Sequence, residues 1–204
     1  MSVRVKICGV TRREDALAAV DAGADAIGVN LWPGSKRCVA VEEAAAIVEG
    51  LPEGVLSVGV FVNAPRAAIA EAVRVAGLGA VQLHGDESPE DCTGWSVRVI
   101  KALAARDGRA LADVAASYAA DFVLVDAYVP GEYGGTGTTF PWDRVAGLAP
   151  ERLFLAGGLT PENVAEAVRQ VGPYAVDVAG GVESRPGIKD PEKMREFVRH
   201  AKAA

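Results

Sequence analysis

The fold is decided by Asp121-Phe-Val-Leu-Val-Asp126, a run that leads into a segment containing Gly134-Gly135-Thr136-Gly137. Its apolar centre has the length of a buried strand, and a carboxylate closes it. The glycines beyond it can turn backbone N–H groups toward an anion, and Asp126 can carry a proton. We therefore expect a buried strand that delivers an acid–base group to a loop-lined site.

The same layout recurs along the rest of the chain. Apolar runs of strand length lack regular apolar–polar alternation, which is typical of parallel strands buried on both faces. Eight such runs follow one another at fairly even intervals: Val3–Ile7, Ala26–Leu31, Val55–Val62, Ala80–Leu83, Val97–Ala102, Phe122–Val125, Leu153–Leu155 and Ala175–Val178.

Helical stretches with start and stop signals separate these runs. Thr11 and Glu14 have the spacing of a capping box, in which each side chain bonds a free backbone N–H group. Ser88, Thr160 and Asp190 each precede a proline and an acidic residue, which is typical of a first helical turn. Apolar stripes at helical spacing and C-cap glycines complete the pattern: Leu17, Val20 and Ala24; Val164, Ala167, Val168 and Val171; Gly23, Gly77 and Gly172.

Eight strands alternating with about eight helices predict an α/β protein, a single (β/α)8 TIM barrel domain over residues 1–204. An open, doubly wound sheet is the alternative. Polar residues favour the barrel because they fall at or just past the carboxyl ends of the strands, where barrels carry their active sites. These residues are Lys6, Cys8, Arg37, Gln82, His84, Asp126 and Asp177.

Composition narrows the class of protein. The net charge is −6 and there is no basic run, which argues against nucleic acid as the main partner. No segment approaches the ~20 apolar residues of a membrane span, and residues 1–6 lack the apolar core of a signal peptide. The three cysteines lack metal-ligand spacing. We expect a reduced cytoplasmic enzyme without a membrane partner or a metal.

The first strand brings Lys6 and Cys8 to one face, because side chains two residues apart in a strand point the same way. An ammonium beside Cys8 would favour the thiolate, the form that acts as base or nucleophile. The alternative is that Cys8 is a small buried apolar residue, the usual fate of a free cysteine.

Two other strand ends offer acid–base groups. Burial would raise the pKa of Asp126, which suits a general acid near neutral pH, although a carboxylate that caps or pairs at the rim is the alternative. Asp177 has the same two interpretations. Gln82 and His84 share a face, and His84 is either an acid–base group or a structural histidine at the rim.

Three glycine-rich turns follow strands six, seven and eight. Glycine lets backbone amides approach an oxyanion closely, and barrels often bind phosphate at the loops after strands seven and eight. The turns predict a phosphate monoester, unless they are tight turns without a ligand: Gly135, Thr136 and Gly137; Gly157 and Gly158; Gly180 and Gly181. Arg37, in the loop after strand two, could clamp a carboxylate bidentately or be a solvated loop charge.

Together these motifs resemble the phosphoribosylanthranilate isomerase family of tryptophan biosynthesis. The match runs in family order from residue 6 to residue 190. It rests on Lys6–Thr11, Ser35–Arg37, Gly59–Asn63, Gln82–Glu87, Asp126, Gly134–Gly137 with Trp142, Ala156–Leu159 with Asn163, Asp177-Val178, Gly181–Glu183 and Gly187–Asp190.

The resemblance implies a (β/α)8 barrel with no metal and no organic cofactor. It implies the Amadori rearrangement of N-(5′-phosphoribosyl)anthranilate to 1-(2-carboxyphenylamino)-1-deoxyribulose 5-phosphate. Cys8 would be the general base at C2, Asp126 the general acid at the ring oxygen, and Arg37 the anchor of the anthranilate carboxylate. The glycine turns would bind phosphate. We expect a small phosphosugar substrate, a monomer or homodimer, and further substrate contacts from Lys6, Gln82, His84 and Asp177.

The chain departs from the family in a few places. Ala179-Gly180-Gly181 stands where Ser-Ser-Gly is usual, which leaves backbone amides without those hydroxyls. Asn30-Leu31-Trp32 replaces a phenylalanine-rich string, and Lys36 stands where proline is common. These departures concern affinity and loop detail rather than the reaction.

Rival classes need residues that the sequence does not supply in the expected pattern. A pentulose-phosphate epimerase calls for a His/Asp metal set, and an indole-glycerol-phosphate synthase relative calls for a catalytic Lys/Glu pair with an added N-terminal segment. A metal hydrolase built on Cys8, His84, Asp126 and Asp177 lacks a metal-motif spacing. A non-catalytic phosphosugar-binding barrel is the alternative of a different class.

Overall fold

The computed structural model describes residues 2–105, 111–127 and 141–204. Eight parallel strands close into a barrel in chain order: β1 Arg4–Ile7, β2 Ala26–Asn30, β3 Leu56–Phe61, β4 Ala80–Leu83, β5 Arg98–Ala105, β6 Phe122–Ala127, β7 Leu153–Leu155 and β8 Ala175–Val178. Closure occurs because β1 pairs with β8 as well as with β2. The predicted barrel is therefore confirmed, and the open sheet is excluded.

Helices cover the outside of the barrel. The described residues contain α1 Arg13–Asp21, α2 Val41–Val48, α3 Arg66–Ala76, α4 Leu111–Ala116, α5 Val164–Val171 and α6 Pro191–Lys202. Short 3-10 turns occupy Glu90–Cys92, Trp142–Val145, Pro150–Arg152 and Gly180–Val182, and a hairpin of β9 Glu183–Arg185 and β10 Ile188–Lys189 precedes α6. None of the helices in these ranges has the length and apolarity to cross a membrane.

The connection after β4 differs from the predicted helix. Ser88 and Pro89 lead into one 3-10 turn, in which the Asp91 carboxylate accepts from the Ser88 N–H group. Gly94 follows with φ +69°, a left-handed conformation that ends a helix. Too few residues separate the proline from this glycine for a longer helix.

Helix caps confirm part of the sequence interpretation. Asp190 accepts from the N–H groups of Glu192 and Lys193 at the start of α6, and Gly77 and Gly172 adopt left-handed C-cap conformations. The capping box at Thr11 is wrong, because the Thr11 hydroxyl donates to the Gly187 carbonyl at 2.6 Å instead.

Two apolar cores flank the strands. The outer core lies between the barrel and its helices. The inner core fills the barrel and includes Ala80, Leu124 and Ala175, with edge and stacking contacts among Phe122, Phe154 and Tyr174. Each fully buried Leu, Val or Phe contributes about 1.5–3 kcal/mol through the water it displaces.

Strand periodicity places the polar residues directly above the inner core. Gln82, Asp126 and Asp177 each lie two residues beyond Ala80, Leu124 and Ala175 respectively, so each points into the same interior. The barrel thus changes from apolar to polar along each of these strands toward its carboxyl end.

Candidate active site

Lys6 is the centre of the polar layer inside the barrel. Its ammonium donates to Asp177 Oδ1 at 2.7 Å and to Gln82 Oε1 at 2.8 Å, and the residue is fully buried. Burial alone would lower the pKa of Lys6, but Asp177 and Cys8 outweigh it and raise the pKa of Lys6 to about 12. Lys6 is therefore a permanent cation that fixes two neighbouring side chains.

The contact with Lys6 decides the tautomer of His84. An ammonium only donates, so Gln82 accepts with its oxygen and presents its NH₂ group to His84 Nδ1 at 2.8 Å. Nδ1 is then the acceptor, and the neutral ring carries its proton on Nε2. Nε2 lies 3.8 Å from Asp126 Oδ2, so its N–H group faces the carboxyl group.

The electrostatics keep His84 neutral at physiological pH. Burial, followed by the charge of Lys6, lowers the pKa of His84 to about 4. His84 therefore does not supply a proton from an imidazolium. It presents a neutral N–H donor toward Asp126 throughout the range in which most enzymes work.

Cys8 follows β1 and packs against Lys6 in space that Gly28 leaves open. A Cβ atom on Gly28 would lie 2.9 Å from Cys8 Sγ and 3.1 Å from Lys6 Cε, too close for ordinary contacts. The thiol is buried, and burial together with Asp177 raises the pKa of Cys8 above its ordinary value. Lys6 acts in the expected direction and lowers this pKa, but burial and Asp177 outweigh its effect.

Arg37 reaches the barrel mouth over Gly9. Gly9 has φ +68°, and a Cβ atom there would lie 2.4 Å from Arg37 Cδ. The guanidinium makes a bidentate pair with Glu183 at 2.7 and 2.8 Å. Glu183 takes two of its five N–H donors, which leaves three for a ligand within the described structure. Arg37 is thus held in place rather than solvated.

Glycine turns line a pocket beside the acid groups. Gly157 and Gly158 have φ +88° and +61°, and a Cβ atom on Gly181 would lie 2.0 Å from the Leu159 carbonyl oxygen. Only glycine fits such a position without moving the main chain. The pocket lining is Asp126, Ala156, Gly157, Gly158, Leu159, Asp177, Val178, Ala179, Gly180 and Gly181.

The structure thus brings most predicted site residues to one end of the barrel. Asp126, Asp177, Gly157, Gly158, Gly180 and Gly181 share the pocket, and Lys6, Gln82 and His84 connect Asp177 to the neighbourhood of Asp126. Gly135, Thr136 and Gly137 lie outside the described residues. Among the described residues, no three His, Cys, Asp or Glu side chains form a group that could hold a metal ion.

Two buried charges near the site were missed from the sequence as functional residues. The Lys189 ammonium donates to Cys8 O at 2.6 Å, Ala179 O at 3.0 Å and Glu183 Oε1 at 3.0 Å. Burial would raise the pKa of Glu183, but Arg37 and Lys189 outweigh it and hold that pKa below its ordinary value. The available signal was their place in the motif Gly181–Asp190, which by itself does not indicate burial.

A closed barrel with acid–base groups at the carboxyl ends of its strands defines a (β/α)8-barrel enzyme. The family model described as N-(5′-phosphoribosyl)anthranilate (PRA) isomerase matches residues 5–200. The chain therefore belongs to the PRA isomerase family, a family of isomerases in tryptophan biosynthesis.

Individual relatives are similar to this protein over nearly its whole length. N-(5′-phosphoribosyl)anthranilate isomerase of Geobacter metallireducens is 54% identical over 203 residues, which cover 98% of this chain and 100% of that one. The crystal structure of phosphoribosyl anthranilate isomerase from Thermus thermophilus has a TM-score of 0.88 and 42% identity, and covers 97% of this chain and 98% of its own.

Two further structures report a ligand and an assembly. A phosphoribosyl anthranilate isomerase in complex with reduced 1-(o-carboxyphenylamino)-1-deoxyribulose 5-phosphate has a TM-score of 0.83 and 38% identity, covering 99% and 100% of the two chains. Monomers generated from the dimeric Thermotoga maritima enzyme have a TM-score of 0.86 and 38% identity, with the same coverage.

Proposed function

We propose that this chain converts N-(5′-phosphoribosyl)anthranilate to 1-(2-carboxyphenylamino)-1-deoxyribulose 5-phosphate, with Cys8 as general base and Asp126 as general acid. The observation that carries the proposal is the pocket shared by Asp126, Asp177 and the glycine turns. Lys6, which packs beside Cys8, donates to Asp177 in this pocket. Asp126 thus lines the glycine-rich pocket, and Cys8 lies beside the lysine that reaches Asp177 in it.

Asp126 and Cys8 each carry out one proton transfer of the rearrangement. Asp126 donates its proton to the ribose ring oxygen, the C1–O bond breaks, and the anthranilate nitrogen forms an iminium bond to C1. The Cys8 thiolate then removes the proton from C2, and the electron pair moves to give the enol amine. Tautomerisation of this enol amine yields the aminoketose.

The neutral Nε2–H group of His84 supports the acid step. It faces Asp126 at 3.8 Å, so it favours the carboxylate that remains once the proton has left. Gln82 keeps this tautomer in place and is itself fixed by Lys6. Such an arrangement stabilises charge at the moment it develops, which is the principal way in which enzymes use preorganised dipoles.

We assign the two anionic groups of the substrate to separate anchors. We assign the anthranilate carboxylate to the three remaining donors of Arg37. The phosphate belongs to the turns at Gly157-Gly158 and Gly180-Gly181, together with Gly135, Thr136 and Gly137. Lys6, Gln82, His84 and Asp177 form the floor beneath the ribose. Anchors at both ends fix the sugar between base and acid, which reduces the entropic cost of reaction.

Two further statements, on domain organisation and on oligomeric state, belong to the proposal. Residues 1–204 form one domain, and the active form is a monomer or a homodimer. Cytoplasmic location, the lack of a nucleic-acid partner and the lack of a cofactor stay predictions.

Turnover by substituted enzymes tests the acid and base assignments. Cys8→Ala and Asp126→Asn should each reduce kcat by about 10²–10⁴-fold, the usual contribution of a positioned acid or base. Loss of phosphoribosylanthranilate fluorescence measures the rate. Binding of the reduced product analogue should persist in both variants, which separates lost chemistry from lost folding.

The same assay distinguishes an isomerase from a non-catalytic phosphosugar-binding barrel. A wild-type chain that binds the analogue but turns nothing over would be a phosphosugar-binding barrel. An active wild type whose Cys8→Ala variant keeps the full rate would retain the reaction and remove Cys8 from it.

A further inference from the structure

Two residues of the β9–β10 hairpin and one residue of the loop after β2 form a buried ionic cluster at the edge of the site. We define this hairpin cluster as Glu183 and Lys189 of the hairpin together with Arg37 of the loop. The side chain of Lys189 is fully buried, and those of Glu183 and Arg37 are 5% and 15% exposed. Because buried charges need partners, each member depends on the others for its position.

Lys189 contacts two main-chain segments that belong to the site. Its ammonium donates to the carbonyl of Cys8, which precedes Gly9, and to the carbonyl of Ala179, which precedes Gly180. Its third bond goes to Glu183. A single three-donor group therefore joins the end of β1 to the loop after β8.

Glu183 contacts the third part of the site. Its two carboxylate oxygens accept from Nε and Nη2 of Arg37 at 2.7 and 2.8 Å. This fork-to-fork geometry fixes the plane of the guanidinium as well as its position. The Gly187 N–H group adds a bond to Glu183 Oε1 at 3.2 Å.

The hairpin itself is tied to the first helix. The Lys189 N–H group donates to Asp15 Oδ2 at 3.0 Å, and the Thr11 hydroxyl donates to the Gly187 carbonyl at 2.6 Å. Asp15 is buried and paired with Arg12. These bonds give the cluster a fixed support outside the barrel mouth.

We propose that Glu183 and Lys189 are positioning residues for the reaction, through which the Cys8 main chain, the Arg37 guanidinium and the loop after β8 share one anchor. The inference rests on the proposed roles of Cys8, Arg37 and the glycine turns. Glu183 acts through Arg37 on the substrate carboxylate, and Lys189 acts through the main chain on the thiol and the phosphate loop.

Steady-state kinetics of two Glu183 variants test the proposal. Glu183→Gln keeps the shape but removes the charge, and Glu183→Asp keeps the charge but withdraws it by one methylene. Both should raise KM and lower kcat/KM by about 10–10²-fold, since a displacement near 1 Å has effects of this order. Glu183→Asp keeps the test valid if Glu183→Gln does not fold.

Asp25 provides the matched control on the opposite face of the barrel. Its carboxylate also receives two cations, Arg4 at 2.8 Å and Lys202 at 2.9 Å, and it also accepts a backbone N–H group, that of Val5. Asp25→Asn should lower Tm while leaving KM unchanged. Glu183 variants that lower Tm without altering KM or kcat would overturn the proposal.

A double-mutant cycle tests whether Glu183 affects KM through Arg37. If Glu183 acts through Arg37, Glu183→Gln should add less than about twofold to KM in an Arg37→Met background, because coupled residues are not additive. Full additivity would overturn this route. If Cys8→Ala keeps the wild-type rate while the Glu183 variants still raise KM, the role of Cys8 fails and the anchor stands.

Discussion

At the scale of single residues, burial decides the ionisation of Cys8 and His84 more than the nearest charge does. Lys6 lowers the pKa of Cys8, yet burial and Asp177 together raise it. The sequence predicts the neighbours of Cys8, because strand periodicity fixes them. It does not give the depth of burial, so the sequence alone does not show that the pKa of Cys8 is raised.

The pH dependence of kcat/KM should show this effect. Only the Cys8 thiolate accepts a proton, and its pKa lies above the ordinary thiol value. In Asp126→Asn, which has no carboxyl proton to lose, the residual kcat/KM should therefore rise with pH into the alkaline range. His84, with a pKa of about 4, should add no limb between about pH 6 and 9. Stopped-flow fluorescence across this range measures the profile, and a rate already on its plateau at pH 7 would contradict the assignment.

Whether the other site residues can be predicted from the sequence depends on whether they end a barrel strand. Gln82, His84, Asp126 and Asp177 were predicted at one face because each ends a strand. Glu183 and Lys189 lie on a hairpin after the last barrel strand, which folds back over β1. No local periodicity brings such residues to the site, so the sequence did not reveal their part in it.

At the scale of elements, the strands were predicted closely and the helix starts less so. Apolar runs identify buried strands because both faces of each are covered. The hydroxyl of Thr11 instead bonds a distant carbonyl, and Leu17 is 41% exposed while Ala16 and Ala19 face the barrel. Tertiary contacts thus override a local pattern at α1.

Removing the cap of α6 should cost stability by a predictable amount. Asp190→Ala removes an acceptor for two backbone N–H groups, so the free energy of unfolding should fall by about 0.5–2 kcal/mol. Urea denaturation measures the change. Glu196→Ala, an exposed site on the same helix, is the control and should stay within about 0.5 kcal/mol; equal losses in both would show that the cap contributes nothing.

At the scale of the whole molecule, the closed barrel holds a histidine that cannot easily become charged. The pKa of His84 falls from its ordinary value of 6.5 to about 4 on folding, so the unfolded chain binds more protons between these values. Stability should therefore rise with pH across this window and be lost as the pH falls through it.

A His84→Gln variant checks this dependence. Urea denaturation of the wild type and the variant between about pH 4.5 and 7 should show a shallower slope of unfolding free energy against pH in the variant. His200→Gln, which removes the second histidine, a residue near the end of α6, is the matched control for the loss of an imidazole. Equal slopes for all three proteins would show that His84 is not the titrating group.

The change from apolar to polar along each strand has a consequence for rebuilding this protein. In β6, Leu124 packs in the inner core, and Asp126, two residues later, lines the pocket at the barrel mouth. A strand is therefore a modular unit whose lower part can be kept while its last inward residue and following loop are exchanged. A deletion of one residue within β6 would instead disrupt the site, because it moves the later side chains of the strand to the opposite face of the sheet.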